Sequence, residues 1–252
     1  GKGRIDLNNS WSEKKADWLT TYLNRETKSG LGVTKELKET DEWCAETYLI
    51  ADYNSIEFEL FKKYTQKYLA YRLLNDLLDL EYTDIGKPSI PNKLIPLSEI
   101  FDVHNGLASS YVEVKIDPEN ENDIRYIRPS QSYGGSIAGY VDKSQIDEKY
   151  IYSDNTMYVS TDGQGSHSYT YVSSFDFVPN SNVSVLIPKR EMSLQEKIYY
   201  SICLTINRFK FSYGRKPKGE RLKEILLPST PPDYVYQNVF DEIFESWKKV
   251  VK

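Results

Sequence analysis

A short basic segment near the end of the chain carries the residue types that bind phosphate. Residues 209–224, FKFSYGRKPKGERLKE, contain six lysines and arginines against two glutamates, although the whole chain has a net charge of -5. Lysine and arginine neutralise DNA phosphates, and arginine can also read guanine through two hydrogen bonds. The segment therefore points to nucleic-acid contact, with a solvated basic loop as the alternative interpretation.

A polar loop lies upstream between two strand-like runs, within YIRPSQSYGGSIAGYVD at 126–142. Its small residues would let the backbone approach a ligand closely. Its serine, glutamine, tyrosine and arginine side chains offer donors and acceptors for phosphates and base edges. A DNA-contacting loop is one interpretation, and a plain hairpin loop is the other.

A second glycine-containing segment, VSTDGQGSHSY at 159–169, includes Gly163 and Gly165. A Gly-x-Gly pair can mark a cofactor-binding turn, but only between a strand and a helix. Strand-like sequence follows this pair, which argues against binding of a dinucleotide or S-adenosylmethionine and predicts a glycine-rich hairpin. His167, one of two histidines, is interpreted as structural.

Three residues could form the centre of a metal-dependent nuclease. Such a centre needs an aspartate and then Glu-x-Lys on a neighbouring strand, so that the carboxylates hold Mg²⁺ and the lysine orients the attacking water. Asp102, Glu113 and Lys115 have a tolerable spacing, although acidic residues are frequent enough for chance matches. The proline pair at 229–234, STPPDY, lacks the pattern of a DNA amino-methyltransferase and is expected to end a strand.

The length and the composition of the chain limit the class of protein. A chain of 252 residues with 39% hydrophobic residues can form one large domain, or a domain with a helical extension. No apolar run approaches the roughly 18 residues of a membrane span, and the first residues contain no apolar signal core. Cys44 and Cys203 fit no zinc spacing and are expected to be reduced thiols. We expect a soluble cytoplasmic protein with no membrane partner.

The N-terminal third reads as helical. Ser10 and Glu13 form a capping box that predicts a helix near the start. An apolar face extending from about 54 to about 80 predicts a second helix. The prolines and glycine at 86–96 then predict a linker.

From residue 97 onward, short β-rich runs alternate with turn residues. The predicted strands are 111–116, 123–128, 136–141, 156–160, 168–172 and 183–187. A second capping box, formed by Ser193 and Glu196, predicts a helix to residue 209. An apolar stripe after the prolines predicts a terminal helix over 234–251.

Several features then occur in one order and together resemble a known family. They are PLSEIFDVHNG (96–106), YIRPSQSYGGSIAGYVD (126–142), the GQGS loop (163–166), NSNVSVLIPK (180–189), a helix, and KFSYGRKPKGERLKEILLP (210–228). The set resembles the target recognition domain of specificity subunits in bacterial restriction–modification systems, both type I subunits and the related type IIB and IIG modules. No single motif is specific, whereas the ordered set is.

The resemblance implies an α+β fold. Its β-rich, twisted and partly barrel-like recognition domain would span 96–230, with a helical docking arm at 1–95 and a C-terminal helix at 231–252. Carried over by position, DNA contact falls on three segments. The implied DNA-binding residues are Arg128, Ser130, Gln131, Ser132, Tyr133, Gly134, Gly135, Ser136, Gly165, Ser166, His167, Lys210, Tyr213, Arg215, Lys216, Lys218 and Arg221. Among these, we expect Arg215 and Lys216 at the loop tip facing DNA, with Tyr213 and Arg221 holding the loop in shape.

The resemblance also implies the partners. The chain would bind half of a bipartite site in double-stranded DNA and would dock methyltransferase and endonuclease subunits. It would carry no catalytic residue, metal or cofactor of its own, since S-adenosylmethionine and Mg²⁺ would belong to the partner subunits. Only one recognition domain is present where a full type I subunit has two, so a homodimer that reads a palindrome is a further expectation. The Mg²⁺-dependent nuclease and a protein-binding adaptor stay open as alternatives.

Overall fold

The computed structural model describes residues 11–73, 86–163 and 165–250. Its α-helices are α1 (Trp11–Leu23), α2 (Phe58–Leu73), α3 (Leu97–Ile100), α4 (Leu194–Ile206), α5 (Glu220–Lys223) and α6 (Val239–Val250). Its strands are β1 (Leu94–Pro96), β2 (Phe101–Asn105), β3 (Asp123–Ile127), β4 (Ile137–Asp142), β5 (Met157–Ser160), β6 (Thr170–Val172), β7 (Phe177–Pro179), β8 (Val183–Pro188) and β9 (Leu226–Pro228). The chain divides into two compact units, residues 1–52 and residues 53–252.

The first unit contains α1 and a set of turns. The ammonium of Lys28 pairs with Asp17 of the helix at 2.5 Å, and the backbone of Lys28 bridges to Gly32. Trp18 and Tyr22, one turn apart on α1, stack with ring centroids 5.8 Å apart. The predicted cap Ser10 lies outside the described residues, whereas the helix that it was expected to begin is present.

Three sheets make up the β-structure of the second unit. The largest has the antiparallel order β2-β8-β5-β6, and a three-stranded sheet has the order β4-β3-β7, in which β3 and β7 are parallel. The pair β1-β9 links the two ends of the β-rich region. Together with the helices, these sheets confirm the predicted α+β class, and the described strands form open sheets rather than a closed barrel.

Most of the predicted strands are confirmed within a residue or two, but the one predicted at 111–116 is wrong. A 3₁₀ turn covers Ser109–Tyr111, and only Lys115 pairs with a strand, through a bridge to Tyr140. The alternating Val112 and Val114 that suggested a strand do pack against a small buried cluster. Their burial therefore comes from side-chain packing, without the hydrogen-bond ladder of a strand.

Helix α4 forms the centre of the main core. The predicted capping box is confirmed: Ser193 Oγ accepts a hydrogen bond from the Glu196 N–H at 3.2 Å, and Glu196 Oε2 accepts one from the Ser193 N–H at 3.0 Å. The buried Glu196 also pairs with Arg190 at 2.6 Å and accepts a hydrogen bond from the Tyr236 hydroxyl at 2.9 Å. These bonds hold the start of α4 in place, and its apolar residues pack against α2, β6 and β9.

Helices α2 and α6 complete this core. Helix α2 begins at Phe58, after a 3₁₀ turn at Tyr53–Ser55, and residues 74–80 of the predicted 54–80 helix lie outside the described residues. The terminal helix is shorter than predicted, since a 3₁₀ turn at Asp233–Tyr236 precedes α6. Across the described ranges, no helix combines the length and apolar character needed to cross a bilayer.

Candidate nucleic-acid interface

Three segments that are far apart in sequence meet on one side of the second unit. The side-chain nitrogen of Gln131 lies 2.5 Å from the position that a Cβ would occupy at Gly165. Arg208 donates a hydrogen bond to the Gly165 carbonyl at 3.2 Å, and the Lys216 ammonium pairs with Asp162 at 2.6 Å. These segments are the β3–β4 connection (128–136), the β5–β6 hairpin (161–169) and the segment after α4 (207–221). They form one surface, which we call the three-segment surface.

The β3–β4 connection presents polar side chains from an anchored backbone. Ser130 is held in place because its carbonyl accepts a hydrogen bond from the Tyr171 hydroxyl at 3.2 Å and its N–H donates to Ser160 Oγ at 3.3 Å. The next two residues, Gln131 and Ser132, are exposed. A fixed backbone with exposed polar side chains is the arrangement that reading base edges requires.

Two residues of the same connection belong to the core. The hydroxyl of the buried Tyr133 accepts a hydrogen bond from the Ser174 N–H, and Ser136 Oγ lies 2.8 Å from the Tyr158 hydroxyl. A Cβ at Gly134 would lie 2.7 Å from the Tyr71 hydroxyl, so a larger residue here would have to displace the Tyr71 ring. These residues shape the loop and do not present side chains to the outer face of the three-segment surface.

The β5–β6 hairpin turns through Gly165, which has a φ of 77°. Asp162 accepts a hydrogen bond from the Gly163 N–H at 2.7 Å, and the neighbouring Lys216 holds the pKa of Asp162 below its usual range. His167 is buried, and desolvation lowers its pKa, so the imidazole is neutral at physiological pH. Its Nε2 has no hydrogen-bond partner among the described residues.

The segment after α4 reverses the expected arrangement of its side chains. Arg215, expected at the loop tip, is buried, donates a hydrogen bond to the Lys210 carbonyl and lies over the Phe211 ring at 5.3 Å. Tyr213, expected to hold the loop, is 83% exposed. The backbones of Ser212 and Arg215 hydrogen-bond to each other in a tight turn, and this turn directs the Arg215 side chain beneath the loop. DNA contact by either residue stays a prediction.

Lys210 is also buried, and its desolvation, together with the charge of Arg215, lowers the pKa of Lys210 to about 8. Beyond it, Lys218 is exposed, and its ammonium donates to the Ser181 carbonyl at 3.2 Å. Arg221 is exposed on α5. The outward-facing positive charge of this segment therefore comes from its second half.

The structure thus sorts the predicted site residues by exposure. The exposed ones are Arg128, Gln131, Ser132, Gly135, Gly165, Tyr213, Lys218 and Arg221. The buried ones are Tyr133, Ser136, Ser166, His167, Lys210 and Arg215. Ser130, Gly134 and Lys216 are half-buried. Those in the exposed set are the ones placed to touch a ligand directly.

Sequence reasoning missed two residues at the junction of the segments. They are Arg208, which directly precedes the basic segment, and Tyr169; the Arg208 guanidinium lies 4.0 Å from the centroid of the Tyr169 ring. The available signal was the spacing of Tyr169, which directly precedes β6, and Tyr171 within it, because residues two apart in an extended segment share one face.

The nuclease constellation is not assembled. Asp102 lies on β2 of the four-stranded sheet and pairs with Lys189 at 3.5 Å. Lys115 bridges to β4 of the other sheet, and its ammonium pairs with Glu119 and Asp123. Glu113 lies outside any strand, and within the described parts of the chain no three acidic, histidine or cysteine residues cluster as a metal site would require.

Comparison with protein families finds a match over the β-rich part of the chain. The model of the type I restriction modification DNA specificity domain matches residues 91–243, which is more than half of the chain. This range includes all three segments of the three-segment surface. No curated protein matches the chain significantly.

Solved structures similar to the chain share little sequence with it. The S subunit of a type I restriction–modification system from M. genitalium is 16% identical, with a TM-score of 0.43 over 78% of this chain and 49% of that one. The HsdS subunit from Thermoanaerobacter tengcongensis is 12% identical, with a TM-score of 0.43 over 79% of this chain and 48% of that one. A chain from a study of type I system assembly is 12% identical, with a TM-score of 0.44 over the same shares. The present chain spans about half the length of each.

Proposed function

The chain belongs to the family of type I restriction modification DNA specificity domains, and from that premise we propose that it recognises a sequence in double-stranded DNA. The recognised sequence would direct partner subunits that methylate and cleave DNA. In this role the chain supplies binding specificity, and other polypeptides carry out methylation and cleavage.

The convergence of the three segments is the observation that carries the proposal. Exposed polar side chains of the β3–β4 connection stand next to a glycine turn and a basic segment, joined by the Gln131–Gly165, Arg208–Gly165 and Lys216–Asp162 contacts. A DNA duplex needs both kinds of group together, because phosphate contacts position a protein and base contacts specify the sequence.

We assign different roles to the exposed residues. Lys218 and Arg221 would neutralise phosphates and supply sequence-independent affinity. Arg128 and Gln131 would reach base edges, where a good bidentate contact discriminates by about 1–3 kcal/mol. The net charge of -5 does not oppose this, because the positive charge is local to one segment.

The partners follow from the same proposal. Methyltransferase and endonuclease subunits would dock on this chain, bringing S-adenosylmethionine and Mg²⁺ for their own reactions. One recognition domain reads one half-site, so pairing of two copies through a two-fold axis would produce a palindromic target.

Selection from a random duplex library at physiological salt tests the proposal. We expect the chain to enrich a defined sequence, Gln131→Ala to relax the preference at individual positions, and Lys218→Ala to weaken binding to all sequences while reducing the salt slope by about 1. Lys149→Ala is the matched control, since this exposed lysine lies outside the three-segment surface. A library that emerges unenriched, with or without a methyltransferase subunit present, would contradict the proposal.

A further inference from the structure

A cavity lined by tyrosines opens beside the three-segment surface. It has a volume of about 290 Å³ and lies between α2, α4, β6 and the β3–β4 connection. Six tyrosines line it: Tyr64, Tyr68, Tyr71, Tyr133, Tyr169 and Tyr171. This volume is at the lower limit of small-molecule pockets, which are roughly 300–1,000 Å³, so the cavity suits one planar ring system.

The ring geometry favours an aromatic guest. Tyr133 meets Tyr71 edge-on with centroids 4.5 Å apart and lies 5.7 Å from Tyr171, whereas Tyr169 and Tyr171 are nearly parallel. Aromatic walls that present both faces and edges bind flat rings through stacking and edge contacts. We call this cavity the tyrosine pocket.

The polar groups of the tyrosine pocket select for a ring that carries hydrogen-bonding groups and a nearby negative charge. Gln131 and Ser132, exposed at the tip of the β3–β4 connection, also line the pocket, and Thr205 contributes a hydroxyl from α4. Lys67 is exposed on α2, with its ammonium 5.2 Å from the Tyr64 ring. No carboxylate is found among the described residues that line the pocket.

A nucleotide combines these features, and Gln131 and Ser132 connect the pocket directly to the surface on which DNA would lie. We propose that the tyrosine pocket receives one nucleobase unstacked from the bound DNA, with Lys67 meeting an adjacent phosphate. This inference rests on the proposed function. Stacking on aromatic side chains tolerates any base, and the amide of Gln131 would read the polar edge of the extruded one.

Affinity for DNA with an unpaired base is the direct test. The probes are a random-sequence duplex pool and the same pool with one bulged nucleotide. We expect at least about tenfold tighter binding to the bulged pool, because the cost of unstacking has already been met there. Tyr64→Ala should remove this preference, because the pocket then loses a ring on which the unstacked base would stack.

Two exposed lysines on α2 provide a matched pair. Lys67→Ala should weaken binding to the bulged pool and reduce its salt slope by about 1, whereas Lys63→Ala, outside the pocket, should leave the preference intact. With 5-iodouracil as the bulged base, ultraviolet cross-linking followed by peptide mass spectrometry should place the adduct on Tyr64 or Tyr169.

The outcomes distinguish failure of this inference from failure of the proposed function. Equal binding of both pools, or adducts only outside the tyrosine pocket, would overturn the inference and leave the proposed function standing. Binding of free deoxyadenosine monophosphate as tightly as bulged DNA would identify a site for a soluble nucleotide and also overturn it. Failure of the wild-type chain to bind either pool would contradict the proposed function and this inference with it.

Discussion

The buried arginine beneath the basic loop should be required for stability. Arg215→Ala removes a charged donor from the Lys210 carbonyl, and such a hydrogen bond contributes about 1.5–3 kcal/mol. It also removes the contact with the Phe211 ring, which contributes about 0.5–2 kcal/mol. Relief of the repulsion between Arg215 and Lys210 offsets part of this loss. We therefore expect the free energy of unfolding to fall by about 2–4 kcal/mol.

Urea unfolding followed by tryptophan fluorescence and by circular dichroism measures this loss. The control is Tyr213→Ala, whose side chain is 83% exposed and whose removal should change the free energy of unfolding by less than about 0.5 kcal/mol. Unchanged stability of Arg215→Ala together with weakened DNA binding would refute this reasoning. That result would mean that Arg215 lies at the loop tip and faces DNA, as the sequence alone predicts.

Three other predictions follow from the same surface. Because the pKa of Lys210 is about 8 when folded and about 10.4 when unfolded, the unfolded chain holds more protons at this residue between these values, and the contribution of Lys210 to the free energy of unfolding should rise by about 2 kcal/mol from about pH 7.5 to about pH 9.5. The rise is measured as the stability of the wild-type chain minus that of Lys210→Met, and a difference that does not change with pH would contradict the assignment. Asp162→Asn frees the Lys216 ammonium, so duplex affinity and the salt slope should both increase, the slope by up to about 1, whereas Asp117→Asn, with the same change of charge, should alter neither. Gly165→Ala should cost about 1 kcal/mol at a φ of 77° and displace Gln131, which shifts the selected sequence; an unchanged selection would remove Gln131 from base readout.

The elements that were predictable from sequence are those with local signals. The capping box of Ser193 and Glu196 begins α4 as expected, since its hydrogen bonds join residues three apart. Alternating strands such as 123–128 and 183–187 were also found. The strand predicted at 111–116 was wrong because alternation reports burial of Val112 and Val114 and cannot report whether the backbone finds a partner strand.

The sequence predicted which segments form the candidate site, but it did not predict which of their side chains face outward. The resemblance grouped the three segments, and the contact of Gln131 with Gly165 joins two of them. The loop conformation decides which basic residues face outward. The turn between Ser212 and Arg215 follows neither a helical nor a strand period, so the sequence pattern could not predict that conformation. The tyrosine pocket joins α2 to β6 across about a hundred residues, a proximity that only the tertiary fold creates.

Amide hydrogen exchange with and without a selected duplex would show whether the three segments form a single DNA-binding surface. We expect slower exchange in residues 130–135, 162–166 and 211–218 together when DNA is bound, and no such change with an unselected duplex at high salt. Protection confined to other parts of the chain, or to only one of these segments, would contradict a single surface.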